Sequence, residues 1–257
     1  MHPDIGPLDE ATKGYVALVT GATGSLGREI VKRLGETGRY SRIYACFNTR
    51  DNIANQLKAM PYVEVCQLDL LTRRLDILPD KVDVLINNAA LPASKALSTE
   101  LSEDEFNKLL ELNTHIPMLL AQRYLPGMIG SKWGRIINVN SIWGIRGSER
   151  NLAYTMSKRA LSGLTQTIAI EFCSTGVTCN EVCPGPIDSE MMDRIFEARS
   201  MESGRGACAL KHEFVSSLRA GRMVRVEEVA ATIAFLTSPE ASGINGVSLP
   251  IDLGFIV

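Results

Sequence analysis

Tyr154 and Lys158 stand four residues apart in the helix-patterned stretch NLAYTMSKRALSGLTQTIAIEF, so both side chains leave one face and can address one ligand. The pair joins a phenol to an ammonium. A free tyrosine releases its proton near pH 10, too high for ready exchange at neutrality, and a neighbouring cation favours the phenolate. Such a pair suits proton transfer to a reacting oxygen. Ser141 ends the apolar run RIINVNS thirteen residues upstream and is expected on the same rim, where its hydroxyl can donate to that oxygen. Asn113, in the helix before that run, adds a polar group from below.

These groups need a scaffold that carries them to one edge. The run YVALVT, Tyr15 to Thr20, stops at the glycine cluster GATGSLG, which opens the helix-patterned REIVKRLGETG. Strand-like runs RIYACF, YVEVCQLDL, VDVLINNAA, RIINVNS, GVTCNEVCPG and GVSLPIDL follow. Between them lie helical stretches, among them DNIANQLKAM, SEDEFNKLLELNTHIPMLLAQRYL and VEEVAATIAFLTS. The alternation implies βαβ units, and the continuous apolar runs suit parallel strands buried on both faces. The expected fold class is α/β: a doubly wound parallel sheet of the Rossmann type in three layers, α/β/α. One domain spans 15–257 after a polar tail, 1–14. The stretch Ile187 to Ala220 differs, holding Met191, Met192, Phe196 and Phe214 among many charges, and reads as a mobile helical lid insertion.

In such a sheet the first strand-to-helix turn meets the pyrophosphate of a dinucleotide. Gly21, Gly24 and Gly27 sit there with Thr23, Ser25 and Leu26 between them, and the helix N-terminus offers free N–H groups to an anion. The end of the second strand reads the cofactor's ribose. A carboxylate there would accept from a 2′-hydroxyl and a cation would pair with a 2′-phosphate. The segment is Phe47-Asn48-Thr49-Arg50, so Asn48 and Arg50 favour NADP(H) over NAD(H). The alternative is that Arg50 is a solvated residue at a helix start.

The composition points to a small-molecule partner. Twenty-seven basic residues against 29 acidic ones, net charge −2, include no run of five like charges, so neither a nucleic-acid stripe nor a membrane patch is indicated. No apolar run approaches the roughly 18 residues of a membrane span, and the opening MHPDIGPLDEATKG is acidic and broken by Pro and Gly; a cytoplasmic protein is expected. The six cysteines show no CxxC spacing and read as reduced structural thiols; the three histidines are too scattered for a metal site.

Taken together, the chain from about Tyr15 to Phe255 resembles the short-chain dehydrogenase/reductase family, in its single-domain branch and most like 3-oxoacyl-carrier-protein reductases. The resemblance rests on TGATGSLG (Thr20 to Gly27), LDL (Leu68 to Leu70), NNAA (Asn87 to Ala90), Asn113, Ser141, YTMSK (Tyr154 to Lys158), PGPIDSEM (Pro184 to Met191) and GRMVRVEEVAATIAFL from Gly221. It implies a catalytic tetrad of Asn113, Ser141, Tyr154 and Lys158, with Lys158 also holding the nicotinamide ribose and Asn113 anchoring a water. It places Asp69 near the adenine, Asn88, Ala89 and Ala90 under the nicotinamide ribose, and Ile187 and Ser189 on the carboxamide, with Leu70, Pro184 and Gly185 also among the cofactor-binding residues. The implied activity is hydride transfer between the nicotinamide and a carbonyl or secondary alcohol, with a 3-oxoacyl thioester, free or on a carrier protein, as leading substrate. A homodimer or homotetramer is implied as well.

Several positions depart from the family pattern. Ser25 replaces a turn glycine while Gly24 creates the glycine spacing of extended members such as epimerases and dehydratases; Ala90 and Leu253 replace glycines elsewhere. The segment from Asp69 to Val82 leaves room for about three helical turns or fewer. Substrate choice is expected in the lid, with Ser141, Ile142, Trp143, Tyr154, Met191, Met192 and Phe196 as pocket walls. Lids also pack on themselves, and Met and Phe at helical spacing suit that equally. A carrier protein is acidic, and Lys132, Arg135, Arg146 and Arg150 are expected to form a basic rim, although Thr175 stands where such enzymes often have arginine. Two other readings compete with the ketoreductase: a non-catalytic NADP-binding regulatory or scaffold protein, and an epimerase or dehydratase.

Overall fold

The computed structural model describes residues 14–92, 94 and 96–257. All but the last residue of the expected tail, 1–14, lies outside the described residues. Seven strands, β1 (Tyr15–Thr20), β2 (Tyr40–Phe47), β3 (Val63–Gln67), β4 (Val84–Asn87), β5 (Gly134–Val139), β6 (Val177–Pro184) and β7 (Ser248–Ile251), form one sheet in the order β3-β2-β1-β4-β5-β6-β7. Every pairing is parallel. The chain reverses direction across the sheet between β1 and β4, which opens a crevice at their carboxyl ends.

Helices α1 (Ser25–Glu36), α2 (Asp51–Lys58), α3 (Glu103–Leu110), α4 (Ile116–Gly130), α5 (Leu152–Glu171), α6 (Glu190–Ser203), α7 (Ala207–Ser217) and α8 (Val226–Leu236) complete the layers. On α1 the buried residues are Gly27, Ile30, Val31 and Leu34, the 3.6-residue stripe that a sheet-covering helix needs. They pack in one apolar layer with Val229, Ala230 and Ile233 of α8. Each large apolar side chain so buried contributes about 1.5–3 kcal/mol. The opposite layer is filled by Leu120, Tyr124, Leu85, Ile136 and Ile168, from α4, β4, β5 and α5.

Two connections differ from the simple alternation. Between β3 and β4 the chain makes two single 3-10 turns, Leu70–Thr72 and Leu75–Ile77, instead of a helix. The stretch read as one long amphipathic helix is α3 and α4 joined through a π turn, Glu111–His115. Pro117 has no N–H to offer the Asn113 carbonyl four residues before it, which accounts for the break in the α-helical ladder at that point.

The turn after β1 is tightly determined. Gly21 has φ +65°, and a Cβ there would lie 2.9 Å from the Cα of Ala89; a Cβ on Gly27 would lie 2.2 Å from the Gly21 carbonyl oxygen. Gly24 has φ −71°, and its Cβ would reach only an ordinary 3.4 Å from the Gly21 carbonyl oxygen, so the backbone does not demand glycine there. Ser25 begins α1 without positive φ, as a serine requires. Gly27→Ala is therefore expected to cost about 1–3 kcal/mol of stability through displaced backbone, whereas Gly24→Ala leaves the thermal midpoint nearly unchanged. Thermal denaturation of both variants checks the contrast.

Candidate active site

Three of the four expected catalytic side chains meet at the carboxyl end of β5. Ser141 follows that strand closely, is 7% exposed, and its Oγ accepts from the Trp143 N–H at 3.2 Å. Tyr154, half-buried on the first turn of α5, shares a side-chain hydrogen bond with Ser141. Lys158 lies one turn further, 2% exposed. Its Nζ is 5.6 Å from the Tyr154 ring centroid and donates to the Val139 carbonyl at 2.8 Å. The ammonium thus lies beside the phenol ring rather than pointing away from it.

Asn113 joins them indirectly. It is 1% exposed in the π turn, its Oδ1 accepts from the Leu91 N–H at 2.8 Å, and its Nδ2 donates to the Leu91 carbonyl and to Ser157 Oγ, both at 3.1 Å. Both ends of the amide are therefore engaged in fastening the loop after β4 to α5. The turn that supports that loop is held from the other side. Thr20 Oγ1 accepts from the N–H groups of Asn88 and Ala89 at 3.0 Å each, and Asn88 Nδ2 donates to the carbonyls of Thr20 and Gly21. Ala90 follows, half-buried.

Enclosure dominates the electrostatics. Burial pushes the Tyr154 phenol up to about 12, opposed by the hydrogen bond from Ser141, so its proton is retained at neutrality. Burial also pulls the Lys158 ammonium down to about 8, opposed by the carboxylate of Glu181. The sequence alone leads one to expect a phenol made acidic by its cation. In the structure burial dominates, and the pair stands with the phenol protonated and the lysine close to its own titration.

The residues expected to bind a dinucleotide gather about the carboxyl ends of the strands around the switch between β1 and β4. No side chain caps α1 and no acid sits in its first turn, so the N–H groups of Ser25, Leu26 and Gly27 are left to an anion at the helix start. That is the donor set a pyrophosphate needs, and the residues fit the group. Thr23 Oγ1 donates to the Thr49 carbonyl at 3.0 Å. Asn48 is exposed at the end of β2. Asp69, at the end of β3, caps the turn holding the buried Leu70 by accepting from the Leu71 N–H. Pro184 ends β6, and Gly185 packs on Asp252; Ile187 bridges to Val224, and Ser189 caps α6.

Arg50 is not a free solvated cation. Its guanidinium reaches the Thr23 carbonyl and pairs with Glu190, which also holds Arg28 at 2.6 Å. Glu190, at the start of α6, escapes sequence reasoning because only the fold brings it beside residues so distant in the chain. The basic rim is smaller than expected. Lys132 and Arg135 belong to the opposite end of β5, and Arg135 is 2% exposed, donating to the Gly134 and Gly176 carbonyls beneath Trp133. Of the four, Arg146 and Arg150 follow Ser141, and both are exposed.

Around the pocket, Trp143 meets Phe255 edge-on at 6.0 Å; on the lid Met191 is exposed and Met192 half-buried. Phe196 is a correction. It is 2% exposed and packs on Phe214, so it holds α6 against α7 instead of forming a wall; Ile142, 1% exposed, likewise lies under the surface. Phe255, from the C-terminal run LPIDLGFIV, is the aromatic neighbour of Trp143 that the sequence does not single out. The nearby cavity of about 130 Å³, lined by Pro186, Leu218, Arg219, Arg222 and Phe255 among others, touches none of the tetrad.

Comparison with known proteins decides the family. The family model for short chain dehydrogenase matches residues 15–200. This chain is a short-chain dehydrogenase. It is 29% identical over 247 residues to a 3-oxoacyl-[acyl-carrier-protein] reductase of Rickettsia felis, covering 95% of this chain and 98% of that protein. It is 30% identical to the reductase of the same name from Vibrio cholerae, covering 94% and 97%. A crystal structure of a tryptophan-substituted actinorhodin polyketide ketoreductase with NADPH superposes with a TM-score of 0.84 at 28% identity, covering 94% of this chain and 97% of that one. Glycine spacing alone suggests an epimerase or dehydratase, and that suggestion loses its basis with the relaxed backbone at Gly24.

The lysine supplies a pH test. Turnover that needs the Lys158 ammonium is fully present below its titration and is lost as pH rises through about 8. Values of kcat/KM for this short-chain dehydrogenase are expected to fall about tenfold per pH unit on the alkaline side of that midpoint; a profile flat through the alkaline range contradicts the assignment.

Proposed function

We propose that this short-chain dehydrogenase is an NAD(P)H-dependent ketoreductase that prefers NADP(H) and acts on a small carbonyl compound, with a 3-oxoacyl thioester, free or carrier-bound, as the leading substrate. The observation that carries the reading is the meeting of Ser141, Tyr154 and Lys158 at the end of β5, beside an uncapped helix N-terminus. The names of the relatives support the substrate class.

A bound nicotinamide supplies or accepts the hydride. The protein's own work concerns the oxygen. Ser141 and Tyr154 are side-chain neighbours, and a carbonyl oxygen entering beside them would accept from both hydroxyls. As hydride reaches the carbon, charge grows on that oxygen, and preorganised donors stabilise it without reorganisation. Tyr154 Oη then passes its proton to the oxygen, completing the alcohol, and the Lys158 ammonium beside it offsets the charge left on the phenolate. Asn113 keeps the β4 loop and α5 in register. An intact arrangement of this kind argues against a scaffold that has lost turnover.

For the cofactor, Arg50 flanks the glycine turn, where a 2′-phosphate would replace Glu190 as its partner. A homodimer or homotetramer belongs to the same reading, through the face of α4 and α5 that carries Met118 and Leu164. The cytoplasm is the expected compartment; no described helix is long and apolar enough to cross a membrane.

Two measurements test the proposal. A panel of 3-oxoacyl thioesters and simple ketones, assayed with NADPH and NADH side by side, is expected to show NADPH oxidation, and Tyr154→Phe to lower kcat by at least about 100-fold while NADPH binding changes little. Near-normal turnover in that variant removes Tyr154 as the acid. Arg50→Ala is expected to weaken NADPH binding by about tenfold or more and NADH binding little, read by fluorescence titration; equal losses for both cofactors contradict the phosphate role.

A further inference from the structure

A carboxylate lies where the fold has no use for one. Glu181 sits mid-strand in β6, whose eight residues are all buried, and it is 0% exposed. A buried carboxylate is costly unless hydrogen-bonded and offset by opposite charge. The first condition is met by a built cage. Oε2 accepts from Asn140 Nδ2 at 2.6 Å, and Oε1 accepts from Ser162 Oγ at 2.8 Å and from Ser248 Oγ at 2.6 Å. Thr165 Oγ1 lies 3.4 Å from Oε2.

The cage leads to the catalytic lysine. Asn140 Nδ2 also reaches the Lys158 carbonyl at 3.1 Å, Ser162 Oγ lies 3.3 Å from the same carbonyl, and Asn140 immediately precedes Ser141. Ser162, which holds the carboxylate, and Lys158 are one turn apart on α5, and Val139, whose carbonyl takes the ammonium, is paired with Val182, next to Glu181 on β6. The ammonium itself donates to the neutral Val139 carbonyl, so its compensating charge must come from further off.

We propose that Glu181 is a positioning residue for catalysis: its caged carboxylate is the counter-charge that keeps the buried Lys158 protonated, and its cage fixes the segment that presents Ser141. The proposal rests on the reading of Lys158 as the cation of the site. The titratable groups coupled to this carboxylate are Lys158 from α5 and Cys179 and Cys183 from β6; β5 and β7 contribute the uncharged Asn138 and Ser248. Burial and Glu181 push both thiols far above their ordinary range, and burial holds the phenol proton, so Lys158 is the member that titrates near neutrality.

Glu181→Gln keeps the shape of the cage, because an amide oxygen can accept from Asn140 while its NH₂ donates to the hydroxyls of Ser162 and Ser248, which turn to accept. Titration of Lys158 by NMR of ¹³Cε-labelled lysine, assigned by its loss in Lys158→Met, reads the charge directly and does not depend on substrate. The Lys158 midpoint is expected to fall by about one pH unit or more in Glu181→Gln and to stay within about 0.3 unit in Glu181→Asp, whose charge survives. The alkaline limb of kcat/KM is expected to move with the midpoint in Glu181→Gln. An unmoved midpoint in Glu181→Gln, or an equal fall in both variants, overturns the proposal. If Glu181→Gln does not fold, the carboxyl ¹³C shift of Glu181 in the wild-type enzyme decides: an ionised group at neutral pH supports the proposal and a protonated one overturns it. A failed ketoreductase assay with an intact Lys158 shift sinks the functional reading and leaves the charge coupling standing.

Discussion

The desolvation of Lys158 beside Tyr154 is the constraint on which the rest of this structure depends. An ammonium withdrawn from water is unstable unless geometry and opposite charge offset the loss, and here the compensation is spread over three elements. Val139 at the end of β5 offers a carbonyl, α5 fixes the spacing to the phenol, and β6 carries the opposing carboxylate. Remove the sheet and none of these groups has a reason to meet. The same enclosure makes the phenol hold the proton it is to donate and brings the lysine close to its own titration, so the opposing carboxylate is needed to keep the ammonium charged.

The dinucleotide crevice follows from a second, steric constraint. Gly21 and Gly27 are positions at which a side chain would strike backbone, and they bring the end of β1 against the loop after β4. That contact sets the uncapped start of α1 on the same rim of the sheet as Ser141 and Lys158, across the switch in strand order. Glu190 adds a link from the lid, since it holds Arg28 and Arg50 at this crevice from the first turn of α6. The start of α6 and the glycine turn are thereby joined through one carboxylate.

Much of this is legible in the sequence because it depends on local order. The strand-helix rhythm, the glycine turn and the Tyr154–Lys158 spacing are carried by residues close together in the chain, and the parallel sheet follows from them. Other features depend on which distant residues meet. Arg135 reads as surface charge near Ser141, yet it enters β5 at the far end and is buried under Trp133. Phe196 reads as a pocket wall, and its partner Phe214 makes it part of the lid's interior. The long helix through Asn113 reads as continuous because its apolar pattern is; the missing N–H of Pro117 is the signal for the break. Glu181 also carries a signal, an acid inside a run that must be buried on both faces, and its meaning emerges only with Asn140, Ser162 and Ser248 around it.

The most direct test of the site is a crystal structure of the enzyme with NADPH and an unreactive analogue of a 3-oxoacyl thioester. The analogue's oxygen is predicted within hydrogen-bond reach, about 2.6–3.2 Å, of both Tyr154 Oη and Ser141 Oγ, with the Lys158 side chain still directed at the crevice. An oxygen bound away from Tyr154, or a Lys158 turned out into solvent, would contradict the proton-donating role assigned to this pair.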